Sequence, residues 1–370
     1  MWSLVLRLLN CGYQAFLRYA QGKTVYVYGA GRAMESCLRL YFAEQDVAAI
    51  VDGNPQIQGT AVQHHGQAVE IVGPEALAAM VAEHGTEDAL LMITSQIYAA
   101  EIVAALDRVP VLDGLACFVQ AVIRETLEPV PSFRFTQGAS RIPKKLHYIW
   151  IGGKPLPEKY RKYIETWRKH NPDFEVFQWD ESNYDIHRYR YLEQAYEQKG
   201  WNYVSNLMRL DIIYRYGGIY FDTDVEVRQS LKPLLADRAF FGMATGDRVS
   251  TGCGFGAAPG EPILRTIIEE YEARPFVQSN GKTEHRLCST FLISALRQYG
   301  FRPKNAYQKI RDVVIYPVEV FSPLRQYGRP DMITDRTMSI HWEDNTWLRE
   351  KEKGANQQMC ELISRMETIE

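Results

Sequence analysis

Residues 203 to 228 read YVSNLMRLDIIYRYGGIYFDTDVEVR and hold the densest set of groups able to do chemistry. Two carboxylates two positions apart at a strand end, Asp222 and Asp224, point to one side and concentrate negative charge, which is unfavourable unless a cation joins them. Mg²⁺ or Mn²⁺ is the natural candidate, since such ions bind through one or two carboxylates while substrate phosphates complete the shell. A metal held there neutralises charge that grows on a departing diphosphate. The tripeptide alone is weak evidence, because a chain of this size shows about one D-x-D by chance and a solvated turn is its ordinary explanation. Its frame decides between the two.

That frame is an apolar helix, Val204 to Tyr216, stopped at Gly217 and Gly218, with a strand of Ile219, Tyr220 and Phe221 running into the carboxylates. Arg209 lies roughly 12 Å down the helix from Gly217. Asp222 lies roughly 13 Å along the strand from Gly218. If helix and strand fold back at the glycines, the two side chains arrive at one level, and Ser205 and Asn206 share the helix face with Arg209. His147, on the strand KLHYIWIGG, alternates onto the same face as Ile149, where a core role is the ordinary reading; Trp167 and Trp179 are read as core.

Three blocks now carry a resemblance: IPKKLHYIWIGG, VSNLMRLDIIYRYGGIYFDTDVEV and IHWEDNTW. In succession they resemble glycosyltransferase family 32, which takes in bacterial capsule-type enzymes and yeast initiating mannosyltransferases, with the clostridial glucosylating toxins as more distant relatives. The resemblance spans about residues 141 to 350. It implies a GT-A nucleotide-diphospho-sugar transferase fold, a UDP- or GDP-sugar donor, Mn²⁺ or Mg²⁺, and transfer with retention of anomeric configuration. Carried over by position, it implies that Trp150 stacks on the nucleotide base and that Ser205 and Tyr220 line the donor pocket. Asp222 would hold ribose or sugar hydroxyls and a metal-bound water, Asp224 would ligate the metal, and Arg209 would grip the donor sugar or phosphate. The family usually has Asp where this chain has Asn206; an amide still bonds a sugar hydroxyl but adds no charge. Near the end of the chain, where the family has a His-rich strand followed by Ser-Trp, stand His341, Glu343, Asp344, Thr346 and Trp347. His341 is the candidate third metal ligand. Trp347 would donate its indole N–H to the diphosphate as a loop closes, with Thr346 in place of the family's Ser.

The N-terminal part has different content. Residues 23 to 112 alternate strand-like and helix-like runs (KTVYVYG, a helix after Arg32, VAAIVD, a helix from Pro74, ALLMIT, a helix through Ile102, VPVL), which predicts a small parallel α/β sheet. Gly29 and Gly31 follow an apolar strand and open a helix, and Asp52 ends the next strand, as a mononucleotide-binding turn requires. Met34 replaces the third glycine of that pattern, and Tyr19 to Lys23, the one Y-x-x-x-K, precedes the turn. With VDGNPQIQG, the segment resembles the small Rossmann-like domains fused to sugar-modifying enzymes such as bacterial sugar acyltransferases. A structural or substrate-binding role and catalysis with NAD both stay open.

The resulting expectation is an α/β chain: an amphipathic N-terminal helix (1 to 22), a Rossmann-like domain (23 to 128), a linker (129 to 140), a GT-A domain (141 to 350) and a C-terminal helix (351 to 370). A helical segment, FVQAVIRETL, leads into the linker, and the glycine-rich stretch 250 to 262 reads as a loop, either a simple connection or a place where an acceptor approaches. The 370 residues are 46% hydrophobic and 24% charged with a net charge of −3, which is globular material without the basic excess of a nucleic-acid binder. Six dispersed cysteines (Cys11, Cys37, Cys117, Cys253, Cys288, Cys360) argue against zinc and a disulfide framework. No apolar run reaches the ~18 residues that span a bilayer. The first 22 residues read either as a membrane-surface helix or as one packed on the next domain. The functional expectation is hexose transfer from a nucleotide-sugar to an oligo- or polysaccharide acceptor in capsule or surface polysaccharide synthesis, cytoplasmic and either free or peripheral at the inner membrane. The alternatives are a sugar-nucleotide oxidoreductase or epimerase centred on Gly29, Gly31 and Asp52, and a non-catalytic scaffold.

Overall fold

The computed structural model describes residues 6–125, 130–245, 248–279, 281–284, 286, 288–325, 331–343 and 350–370. In chain order the first elements are β1 (Arg7–Asn10), α1 (Tyr13–Ala20), β2 (Thr24–Tyr28), α2 (Arg32–Tyr41), β3 (Ala49–Val51), β4 (Ala61–His64), β5 (Gln67–Val72), α3 (Pro74–His84), β6 (Ala89–Ile93), α4 (Ala99–Leu106), β7 (Ala116–Val119) and α5 (Gln120–Glu125). Then come β8 (Lys145–Ile149), α6 (Glu158–His170), β9 (Glu175–Trp179), α7 (Arg190–Glu197), α8 (Trp201–Tyr216), β10 (Gly218–Tyr220), β11 (Val225–Val227), β12 (Ala239–Met243) and β13 (Val249–Ala257). The last are α9 (Pro262–Glu272), α10 (Cys288–Gln298), β14 (Gln308–Ile310), β15 (Val313–Tyr316), α11 (Val318–Phe321), β16 (Ser339–His341), α12 (Glu350–Ile363) and β17 (Glu367–Thr368). Among the described residues, no helix is long and apolar enough to cross a membrane.

The described residues form two compact units, 6–125 with 350–370, and 130–324 with 331–343. In the first, strands such as TVYVY and ALLMI are apolar throughout because a parallel sheet is covered on both faces. The sheet order is β17-β1-β7-β6-β2-β3-β5-β4, parallel except for the β4–β5 hairpin, whose two-residue His65–Gly66 loop has positive φ at both positions. The chain runs outward from β2 through β3 to β5, then returns to the other side of β2 as β6, so the order reverses at the β2/β6 boundary.

Several expectations for this unit are corrected. The first 22 residues are not one helix: Arg7–Asn10 is a strand between β7 and β17, and a helix starts only at Tyr13. Leu6, Leu8, Leu9 and Phe16 are buried in the unit; a short apolar run fits either period, and here strand neighbours decide. The stretch VPVL is a 3₁₀ turn at Pro110–Leu112, where proline forbids a central strand, and the sheet resumes at Ala116–Val119, part of which reads as helix in the sequence. The C-terminal helix is joined by strand β17, and Met359 and Leu362 of α12 belong to the core of this first unit.

The second unit is built on a seven-stranded mixed sheet, β14-β15-β12-β13-β10-β8-β9, with a two-stranded ribbon of β11 and β16. β8, β9 and β10 run parallel, while β13 lies antiparallel between β10 and β12. Its core includes Tyr148, Trp167, Phe221, Phe240, Tyr316 and Phe321. The indole N–H of Trp167 on α6 donates to the Val225 carbonyl at 2.7 Å, tying that helix to the ribbon. Residues 250 to 257 are not a loop but the interior of β13. Their alternate glycines leave room for large neighbours: a Cβ on Gly254 would stand 2.7 Å from the Phe221 ring, and one on Gly256 2.7 Å from the Phe240 ring.

Candidate functional site

The site begins where α8 turns into β10. Gly217 closes the helix at φ 61°, its N–H donating to the Ile213 carbonyl at 2.9 Å, and Gly218 continues at φ 108°. A Cβ on Gly217 would meet Pro259 at 2.7 Å, and one on Gly218 would meet the Lys145 carbonyl oxygen at 2.7 Å, so side chains are excluded by conformation and by space. His147 braces this turn. Its Nε2–H donates to the Gly217 carbonyl at 3.0 Å, while Nδ1 accepts from the Trp179 indole at 3.0 Å, which fixes a neutral tautomer. Burial, with Lys145 nearby, lowers its pKa to about 4 despite the carbonyl bond. His147 is thus structural.

The turn brings Arg209 and Asp222 together, as helix rise and strand rise require. Arg209 Nη1 lies 3.3 Å from Asp222 Oδ1 and 3.4 Å from Oδ2. Its Nε donates to the Ser205 carbonyl at 2.9 Å, its Nη2 to Ser205 Oγ at 3.1 Å, and its guanidinium carbon sits 4.9 Å from the centre of the Tyr220 ring. Burial is the largest influence and opposes the charge of Arg209, but the Asp222 carboxylate together with Tyr220, Cys288 and Tyr271 outweighs it and raises the pKa. The Tyr220 hydroxyl donates to Asp222 Oδ1 at 2.9 Å; burial first, then the Asp222 charge, pushes its pKa well up. Ser205 and Tyr220 therefore act on Arg209 and Asp222 in this structure, and Asn206 lies on α8 with Ser205 and Arg209.

Gly252 completes the cradle. Its carbonyl accepts the Asp222 N–H at 3.1 Å, and a Cβ there would lie 2.3 Å from Asp222 Oδ2. The register of β13 against β10, Tyr220 opposite Phe255, sets this approach. Sequence reading missed Gly252 as a site residue; the signal available was the alternation of glycines at 252, 254 and 256.

Beyond Asp222 the chain turns, the Val225 N–H donating to the Asp222 carbonyl at 3.2 Å, and enters β11, where Val225 faces His341 on β16. This pairing sets His341 Nε2 3.3 Å from Asp224 Oδ1. Asp222, Asp224 and His341 each offer one ligand atom, all within 4.8 Å of one another. Burial alone would lower the His341 pKa, but its bond to Asp224 and the charges of Asp224, Glu343 and Asp222 raise it to about 9. The carboxylates thus favour positive charge beside them. His341 Nδ1 is buried without a hydrogen-bond partner among the described residues. Two carboxylates and one imidazole fit Mn²⁺ or Mg²⁺ in donor chemistry.

Trp150 follows β8, its indole N–H donating to the Lys154 carbonyl at 2.6 Å and its ring tilted on Tyr160 at 5.8 Å. Asp344, Thr346 and Trp347 lie outside the described residues. A second residue missed in the sequence is Asp211 on α8. Fully buried, it accepts from the hydroxyls of Tyr184 and Tyr189, each at 2.8 Å, and pairs with Arg188 at 3.3 Å and Arg215 at 3.5 Å. It anchors the helix that carries Arg209. In the first unit, the Ala30 N–H donates to Asp52 Oδ2 at 2.8 Å, and Gly29 has φ 107° against Thr94.

Comparison with known proteins bears on the second unit. Residues 157–241 match the family described as glycosyltransferase sugar-binding region containing DXD motif. The chain is 29% identical over 138 residues to inositol phosphoceramide mannosyltransferase 3 of Schizosaccharomyces pombe, covering 36% of this chain and 38% of that protein. It is 28% identical over 124 residues to the initiation-specific alpha-1,6-mannosyltransferase of Candida albicans, covering 30% of each. The match thus spans well under half the length of these relatives. Among solved structures, the PaToxG glycosyltransferase aligns at a TM-score of 0.35 and 20% identity over 42% of this chain and 69% of that one. The resemblance to DXD glycosyltransferases read from the sequence holds, and the matched family segment contains Arg209, Asp222 and Asp224.

Proposed function

We propose that the second unit is a metal-dependent glycosyltransferase of GT-A type, moving a hexose from a UDP- or GDP-sugar to a carbohydrate acceptor with retention of configuration. The observation that carries this reading is the convergence of Asp222, Asp224 and His341 within 4.8 Å, beside a buried Arg209. Asp224, Asp222 and His341 hold the divalent ion, which when bound neutralises charge on the departing nucleoside diphosphate. Arg209, fixed by Ser205 and Tyr220, directs its remaining N–H groups to the donor, preorganised so that no side chain has to reorder during transfer. Trp150 offers its ring to the nucleotide base, and Asn206 takes a sugar hydroxyl without adding charge. No protein nucleophile is assigned. Because two relatives are named as mannosyltransferases, GDP-mannose is the first donor to test. The first unit, with its strand order reversing beside β2, is proposed as a Rossmann-like domain, and the setting as cytoplasmic synthesis of a capsule or surface polysaccharide.

The test is thermal melting against UDP- and GDP-sugars, each with and without Mn²⁺. A ligand that binds only the native state raises the melting temperature, so one nucleotide family should do so in a metal-dependent way. No rise for any donor in the presence of Mn²⁺ would overturn the reading.

A further inference from the structure

We propose that α6 docks on an anionic bilayer surface, its basic outer face against the lipid headgroups and the Trp342 indole in the interface beside it. The docking stands on the charge and exposure of this part of the chain; only its consequence for transfer rests on the reading above. α6 reads EKYRKYIETWRKH. Tyr160, Ile164 and Trp167, at i, i+4 and i+7, form its buried stripe, and Ile164 and Trp167 join the core. The rest of the surface carries Lys159, Arg161, Lys162, Arg168 and Lys169 against Glu158 and Glu165, all exposed, so the helix holds a net +3 in a chain of net −3. Arg161 and Arg168, like Lys162 and Lys169, are two turns apart on one line of the helix, roughly 10 Å along its axis. Local pairing does not cancel these charges. Lys162 meets Glu158 at 3.1 Å, but Arg161, Arg168 and Lys169 have no ion-pair partner among the described residues. Glu165 is the one carboxylate of α6 within helical reach of all three, which leaves an excess of positive charge on the outer face.

The flank of α6 toward the ribbon is aromatic. The Trp342 ring lies nearly parallel to that of Tyr163, 11° between planes at 6.2 Å, and Lys159 Nζ stands 5.9 Å from the centre of the same Tyr163 ring. The Trp342 indole N–H donates to Glu226 at 3.2 Å, yet the residue is 40% exposed, whereas Trp167 and Trp179 of this unit are buried. Cations alone would suit any polyanion. An open, oriented indole beside them selects a surface with an apolar layer beneath its charge, because lysine and arginine meet anionic headgroups while an amphipathic ring settles at the lipid–water boundary. α6 is also tied to the ribbon: the Trp167 indole donates to the Val225 carbonyl, and the Thr166 hydroxyl accepts the Val227 N–H at 3.0 Å. Docking therefore holds at the membrane the ribbon that carries His341. Consecutive strand residues point to opposite faces, so Trp342 can meet lipid while His341 keeps its place with Asp224. The acceptor of the proposed transfer is then one displayed on that bilayer.

The test is flotation of the full chain with vesicles of phosphatidylcholine, alone or mixed with phosphatidylglycerol. The mixed vesicles should carry the chain at low salt and release it at high salt, and phosphatidylcholine alone should not carry it. Replacing Arg161, Lys162, Arg168 and Lys169 together by Gln should lower the partition coefficient about a hundredfold, since each basic side chain near such a surface contributes several-fold, and should leave the melting temperature unchanged. Lipids brominated near the headgroup should quench tryptophan fluorescence in the wild type and less in Trp342→Phe. No preference for phosphatidylglycerol, wild-type partition in the fourfold variant, or quenching unchanged in Trp342→Phe overturns the proposal. So does soluble polyglutamate that competes as well as vesicles of equal charge, which would make the partner an acidic protein. Failure of the transfer reading shows separately, as no melting rise with any nucleotide-sugar, and leaves the flotation result to decide the docking.

Discussion

Two aspartates close strands at comparable points of the two units, Asp52 after β3 and Asp222 after β10, and their surroundings differ in kind. Asp52 faces inward: Oδ2 accepts the Ala30 N–H and Oδ1 the Asn54 N–H, at 2.8 and 2.9 Å, while the space above Gly29 is filled by Thr94, whose hydroxyl donates to the Gly29 carbonyl. Any ligand at that turn competes with bonds the chain already makes. Asp222 is gripped from behind by Arg209, Tyr220 and the Gly252 backbone, while Asp224 and His341 converge with it from the ribbon. Both carboxylates thus receive donors, but only at Asp222 do further acceptors converge from a second strand, which is the feature the proposed cation site rests on.

The sharpest way to break that contrast is Asp224→Ala. It should remove about 4 kcal/mol of transition-state stabilisation, roughly a thousandfold in rate, and abolish the Mn²⁺-dependent melting rise with little change in metal-free melting temperature. Wild-type turnover would place Asp224 in the same class as Asp52. Next is Asp211→Ala, which leaves two phenols and two guanidinium groups without their common acceptor; urea unfolding should show a loss of about 3 kcal/mol, and an unchanged midpoint would refute its anchoring role.

Acid should expose the brace under the site. The His147 pKa is about 4 when folded against an ordinary 6.5, so the unfolded chain binds more protons between these values. The stability contributed by neutral His147 is complete above pH 6.5 and declines as pH falls to about 4, by about 3 kcal/mol in all. His147→Gln should lose this slope, and melting curves of both proteins from pH 7 to 4 provide the check. Gly252→Ala should cost about 2 kcal/mol of stability through overpacking and displace Asp222, so metal-dependent donor binding should weaken along with the melting temperature. The smallest effect is expected of Asp52→Ala, about 1 kcal/mol for its backbone bonds, with the nucleotide-sugar response intact. Loss of that response would mean that the first unit also holds the donor.

The part of the site legible in the sequence lies within a few turns of chain. Helix, paired glycines, strand and carboxylates follow one another, so rise per residue alone brings Arg209 level with Asp222, 13 positions apart. His341 was accessible through its residue type and family position, although its meeting with Asp224 depends on a strand pair more than 100 residues apart in sequence. Gly252 and Asp211 were not legible as site residues. The first needs the register of β13, and the second needs Tyr184 and Tyr189 delivered by the segment before α7. The misread elements are short segments whose local pattern fits more than one structure. Sheet neighbours made the choice for the N-terminal apolar run and the glycine-rich stretch, and proline made it for VPVL.

What the amino-acid order settled by itself is what local sterics and spacing enforce: the alternation of strands and helices, the stop at Gly217 and Gly218, and a carboxylate pair aimed to one side. Tertiary structure alone decided which of the chain's carboxylates converge with further acceptors, because that depends on which side chains distant segments bring to them. It also decided that α12 and β17 complete the first unit's core and sheet rather than extend the second. Burial of apolar surface fixes such pairings, and that surface carries no address in sequence.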